Sequence, residues 1–153
     1  MKNNQVKELL EVQTISNIVT DLTQLGVAFQ DILEIIQNER LTNGSKIKRL
    51  LKLKKIVTLV NELKRMRISN FYIYNIINSE RNTADDKIEK LIALKTMMQL
   101  SSDLKAMGAS HYSVHKITRD RKLTTEQKME RLLNLKLEMG VRTKSKKTKR
   151  TKR

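Results

Sequence analysis

At 153 residues the chain has the length of one domain, enough to bury a continuous core. Its 32 basic residues against 16 acidic ones give a net charge of +16, more than solubility requires, and point to a polyanion or an acidic surface as partner. The absence of cysteine excludes a disulfide framework and a thiolate metal site, and no run approaches the ~20 apolar residues of a membrane span.

The first long apolar pattern begins with Val6, Leu9, Leu10 and Val12 and continues to Leu22 and Leu25. One step of 41 residues later stand Ile47, Leu50, Leu51 and Leu53, then Leu63 and Met66. The step holds along the chain: Leu50, Leu91 and Leu132 align, as do Leu22, Leu63 and Leu104, and Ile32, Ile73 and Val114. Lys46, Lys87 and Lys128 follow the same spacing. A fixed period in this range marks one supersecondary unit used several times. It predicts three units at 5–45, 46–86 and 87–127, then a capping long helix at 128–140, all in a single helical-repeat domain over 1–141. A basic tail, 142–153, follows. With no proline, four glycines and few aromatics, the fold class is all-α.

Each unit pairs a long helical pattern with a short one. In the second unit the long pattern runs over 46–65, with Ile47, Leu50, Leu51, Leu53, Ile56, Val57, Val60 and Leu63 on one face. The short pattern spans 70–81 and points Ile73, Ile76 and Ile77 inward. Tight links join long to short: Gly26-Val27-Ala28, Arg67-Ile68-Ser69 and Gly108-Ala109-Ser110. In the polar links between units, Thr42, Thr83 and Thr124 are placed to cap the next helix. Thr124 with Gln127 has the spacing of a capping box, and Thr83 with Asp86 forms a weaker version. Neither helix type covers its apolar face alone, and stacking in sequence solves that.

The first short helix exposes Ala28, Phe29, Gln30, Leu33, Glu34 and Gln37. Three acids against Arg40 give it a net charge of −2, which suits a structural role or a protein partner better than a phosphate-lined groove. Next, Lys48, Arg49, Lys52, Lys54 and Lys55 crowd one long helix with no acid before Glu62, a candidate ridge for phosphates. The second short helix presents Ser69, Asn70, Phe71, Tyr74, Asn75 and Asn78. Asparagine amides pair two-fold with adenine, and Phe71 suits a thymine methyl.

The third short helix presents Ser110, His111, Tyr112, His115, Lys116 and Arg119, all hydrogen-bonding groups. Residues 110–122 net +3, from Lys116, Arg119, Arg121 and Lys122 against Asp120. The stretch from Asp103 through Met107, Gly108 and Ser110 to Val114 and Ile117 resembles a helix-turn-helix. That resemblance implies a second helix in the major groove, with Arg119 forking onto guanine and Lys116 on a phosphate. Leu22, Leu63 and Leu104 stand where the motif commonly carries a small residue, and Arg67 replaces the turn glycine, so close crossing of the two helices is in question. Short-turn helix pairs are also ordinary packing in α-solenoids; the +3 charge favours DNA.

The tail carries eight positive charges, no acid and no apolar residue. It reads as disordered when free, with Lys144, Lys146, Lys147, Lys149 and Arg150 as a non-specific nucleic-acid anchor or, alternatively, as a targeting signal or solubiliser. His111 and His115 have the spacing of a two-histidine metal edge, but no third ligand is evident, so neither a metal nor a cofactor is expected. An imidazole there gains charge below about pH 6.5. No glycine phosphate loop, cysteine nucleophile or carboxylate pair in an apolar setting supports catalysis.

The expected function is therefore a non-enzymatic double-stranded DNA-binding protein regulating transcription, replication or DNA segregation. The alternatives are an RNA-binding or ribosome-associated helical solenoid, and a protein-interaction module docking a partner at the acidic first short helix. Paired sites are common for helix-turn-helix proteins, so a homodimer is compatible with the DNA reading. The expected location is cytoplasmic: nucleoid-associated in a bacterium or phage, nuclear in a eukaryote.

Overall fold

The computed structural model describes the backbone of residues 2–151 and the side chains of residues 3–141. Its described residues form seven helices and no strand: α1 (Lys2–Gln24), α2 (Phe29–Ile36), α3 (Asn43–Arg65), α4 (Asn70–Ile77), α5 (Ala84–Ala106), α6 (His111–Thr118) and α7 (Thr125–Thr151). The all-α expectation holds. The long helices α1, α3 and α5 have 23 residues each and the short helices α2, α4 and α6 have eight. Every long helix begins 41 residues after the one before it, and every short helix does the same.

The turn after each long helix has one chemistry. Gly26 and Gly108 take positive φ, 87° and 98°, and Arg67 does so at 62°. The N–H of Val27 donates to the Leu22 carbonyl at 3.0 Å and that of Gly26 to Thr23 at 3.1 Å, satisfying carbonyls left open at the helix end. Ile68 to Leu63 (3.1 Å) and Ala109 to Leu104 (2.9 Å) repeat the longer bond. A Cβ added at Gly26 or Gly108 would meet nothing within 4 Å. Glycine therefore serves the left-handed backbone there, not a close helix crossing, and Arg67 shows that the turn forms without it.

The links between units cap the helices that follow. Thr42, Thr83 and Thr124 Oγ1 accept the N–H of Ser45, Asp86 and Gln127, each at 3.2 Å. Asp86 and Gln127 return the bond by accepting the Thr83 and Thr124 N–H at 3.0 Å. Both capping boxes expected from sequence are present, and the hydrogen bonds from Thr83 hold the Asp86 carboxyl below its usual range. The short helices stop at Ile36, Ile77 and Thr118, so α4 is shorter than the predicted 70–81. Past two of these ends the chain makes a side-chain turn: Asn38 Oδ1 accepts the Arg40 N–H (3.1 Å) and Asp120 Oδ1 that of Lys122 (3.0 Å).

Among the described residues, the largest side chains removed from solvent are Leu22, Ile32, Leu50, Leu63, Ile73, Leu91, Leu104, Val114 and Leu132. They are the three aligned series of the sequence. In the first set, Ile18, Leu22, Ile32 and Leu50 form one core, with Ile15, Val19, Val27, Ile35, Ile36, Ile47 and Leu53 packed against it. The leucines where helix-turn-helix proteins commonly carry a small residue are thus core centres.

The chain divides into two compact units, 1–91 and 92–153, and the division falls inside α5, not at a polar link. In the first unit the Lys54 ammonium meets Asp21 at 2.8 Å; in the second, Lys136 meets Asp103 at 3.2 Å. The backbone of α7 runs on through the basic tail to Thr151.

Candidate nucleic-acid interface

α6 carries the cationic part of the candidate surface. Ser110 caps it, its Oγ accepting the Ser113 N–H at 3.1 Å. Val114 pins the inner face at 1 % exposure, and Ile117 is half-buried. Ser110, His111, Tyr112, Lys116 and Arg119 are exposed, while His115 is half-buried. The His111 and His115 rings stack with centroids 4.9 Å apart and planes 6° from parallel. Partial burial, then the charges of Lys105, Arg119 and His111, keep the His115 imidazole below its usual range. Lys105 comes from the end of α5, so positive charge converges on this ring from two helices.

α4 has the same frame and no charge among its eight residues. Ile73 is fully buried, and Ser69, Asn70, Phe71, Tyr74, Asn75 and Asn78 are all exposed. Ser69 Oγ accepts the Phe71 N–H at 3.3 Å. Phe71 meets Tyr72 edge-on, with centroids 5.7 Å apart. On α2, Ala28, Phe29, Gln30, Glu34 and Gln37 are exposed and Leu33 is half-buried.

The α3 ridge is less bare than its sequence suggests. No acid follows within α3 until Glu62, but neighbouring helices supply two. Lys52 pairs with Asp85 of α5 at 3.1 Å, and Lys54 with Asp21 of α1 at 2.8 Å. Lys48, Arg49 and Lys55 are exposed and have no ion pair among the described residues. Lys48, Lys52 and Lys55 recur at helical spacing and share one stripe. The ridge and α4 belong to the first unit, α6 to the second. The side chains of Lys144, Lys146, Lys147, Lys149 and Arg150 lie outside the described residues.

One feature lies beyond the sequence pattern: in the folded chain the charge of Lys105 acts on His115. Phe29, Phe71, Tyr72, Tyr74 and Tyr112 are every Phe and Tyr of a chain that has no Trp. All lie on the short helices, and they are 68, 67, 43, 46 and 75 % exposed. None falls in the buried register, a signal available from the sequence. Among the described residues, no group of three or more His, Cys, Asp or Glu side chains could hold a metal ion, and no helix is long and apolar enough to cross a membrane. Comparison with protein-family models, with curated proteins and with solved structures finds no match to this chain.

Proposed function

We propose that the protein is a non-enzymatic double-stranded DNA-binding protein whose tandem helix-turn-helix-like units present short helices to the major groove, so that it regulates transcription, replication or DNA segregation by occupying a site. The observation that carries the reading is the division of labour on α6: Val114 fills the core while Ser110, His111, Tyr112, Lys116 and Arg119 stand exposed beside the charge of Lys105. Arg119 is suited to guanine edges and Lys116 to phosphate; Asn70, Asn75 and Asn78 on α4 offer amides for adenine. Lys48, Arg49 and Lys55 supply grip without sequence information.

The test is duplex binding as a function of salt, with the full chain. Log K should fall by about 0.9 per phosphate neutralised for each decade of salt. Lys116→Ala with Arg119→Ala should erase preference between duplex sequences and leave weaker, indifferent binding. Sequence preference surviving in that variant would remove α6 as the reader.

A second reading, single-stranded RNA, is favoured by the five exposed aromatics, because unpaired bases stack on such rings. Competition among duplex DNA, single strands and structured RNA separates the two. Loss of single-strand binding in Phe71→Ala and Tyr112→Ala, with duplex binding absent throughout, would establish the second.

A further inference from the structure

The turn after α3 departs from the two that match it. Gly26 and Gly108 hold the left-handed backbone after α1 and α5, whereas Arg67 holds it after α3, at φ 62°. A residue with a Cβ is strained there and glycine is not. The chain keeps an arginine at a place where it twice uses glycine.

Folding does not account for that arginine. The Arg67 side chain is exposed and makes no ion pair among the described residues. A cation suits the open carbonyls at the end of α3, but Lys64 and Arg65 already stand in that last turn. Lys105 serves the end of α5 with glycine in the turn. A residue held against its backbone preference, with neither packing nor pairing in return, points to a role outside the fold.

Charge identifies the role. Residues 63–79 contain Lys64, Arg65 and Arg67 and no acid, a net +3, and all three basic side chains are exposed. They lead into α4, which has no charged residue, and Arg67 stands two places before Ser69, the cap of that helix. α6 carries Lys116 and Arg119 where α4 has Asn75 and Asn78. α4 thus offers amides and rings to bases but has no cation of its own for the phosphates that fix register. From this we infer that Arg67, with Lys64 and Arg65 beside it, binds the phosphodiester backbone of the nucleic acid and so positions α4 against the bases. The inference rests on the nucleic-acid reading above and gives α4 the phosphate site which that reading leaves it without. A guanidinium suits the task because it forks onto two phosphate oxygens at once.

The experiment is the salt dependence of binding by the full chain, followed by fluorescence anisotropy on a labelled duplex and on a labelled single strand of equal length. Arg67→Gly should lower the slope of log K against log salt by about 0.9 on the duplex, or about 0.7 on the single strand, with the urea midpoint raised or unchanged. Arg67→Lys should keep the slope, because the charge stays. Lys7→Gln removes one charge from an exposed position of α1 and should also leave the slope as it is. A wild-type slope for Arg67→Gly on both ligands overturns the inference, even where Lys116→Ala with Arg119→Ala still erases sequence preference. So does an equal loss of slope in Lys7→Gln, which would mark net charge and not a site, or a urea midpoint that falls in Arg67→Gly, which would return the arginine to the fold. A slope lowered on the single strand alone keeps the Arg67 site and removes the duplex reading; binding to neither ligand removes both.

Discussion

The first and third short helices are anchored alike and face outward differently. Ile32 of α2 and Val114 of α6 are each 1 % exposed, and each helix follows a left-handed glycine turn after a fully buried leucine, Leu22 or Leu104. Outside, Glu34 and Gln37 of α2 occupy the places held by Lys116 and Arg119 of α6, and all four are exposed. Burial fixes three positions per unit and leaves the outward positions free to diverge. A repeated frame can therefore carry a carboxylate face at one end and a cationic face at the other, without cost to either core.

The largest expected effect breaks the shared part. Leu22→Ala and Leu104→Ala should each destabilise by about 2–5 kcal/mol, the usual cost of truncating a buried leucine, measured as shifts in urea midpoint. If one costs under about 1 kcal/mol while the other falls in that range, the two cores are not equivalent.

Next comes a transplant of the part that differs. Glu34→Lys with Gln37→Arg gives α2 the outward pair of α6. If α2 approaches the duplex as α6 is proposed to, the slope of log K against log salt should steepen by up to about 1.8, from about 0.9 for each added phosphate contact. Fluorescence anisotropy against a labelled duplex reads it directly. An unchanged slope confines DNA contact to the later units.

The turns offer a smaller, sharper contrast. Arg67 holds φ 62° where its counterparts are glycine, and a side chain in that region carries strain of roughly 1 kcal/mol or more. Arg67→Gly should stabilise the protein by about 0.5–1 kcal/mol after the added freedom of the unfolded chain is counted. Gly108→Ala should destabilise by about 1 kcal/mol, although space for the methyl is open. A destabilising Arg67→Gly would mean that the arginine side chain contributes something its exposure does not reveal.

The frame was legible because burial and helix ends leave local marks. Leu22, Ile32, Leu50 and their counterparts could be picked out by spacing alone, and Thr83, Asp86, Thr124 and Gln127 announce their caps within four residues. Leu9 follows the same pattern yet lies open, because cover depends on a neighbouring element that periodicity does not count. Two charges of the α3 ridge find partners that the sequence of α3 does not show, for a related reason. Asp21 and Asp85 are 33 residues from Lys54 and Lys52, so the neutralising acids arrive only through helix packing. Lys105 reaches His115 in the same non-local way.

The smallest effect lies on the α6 side of the comparison, for α2 has no imidazole. In the folded chain His115 is held below the usual histidine value, by partial burial first and by Lys105, Arg119 and His111 after it. The unfolded chain therefore binds more protons in the window from that lowered value up to about 6.5. Stability contributed by the neutral ring is fully present above about pH 6.5 and is lost as pH falls through the window. A bound polyanion reverses the balance: phosphate beside Lys105 and Arg119 offsets their charge and favours the imidazolium. The His115 titration followed by NMR should move upward on adding duplex, and affinity should rise as pH drops from 7 towards about 6. His115→Gln should flatten that dependence while leaving the salt slope at neutral pH nearly unchanged. If the titration of His115 stays where it is with duplex bound, the cationic face of α6 is not where the phosphates lie.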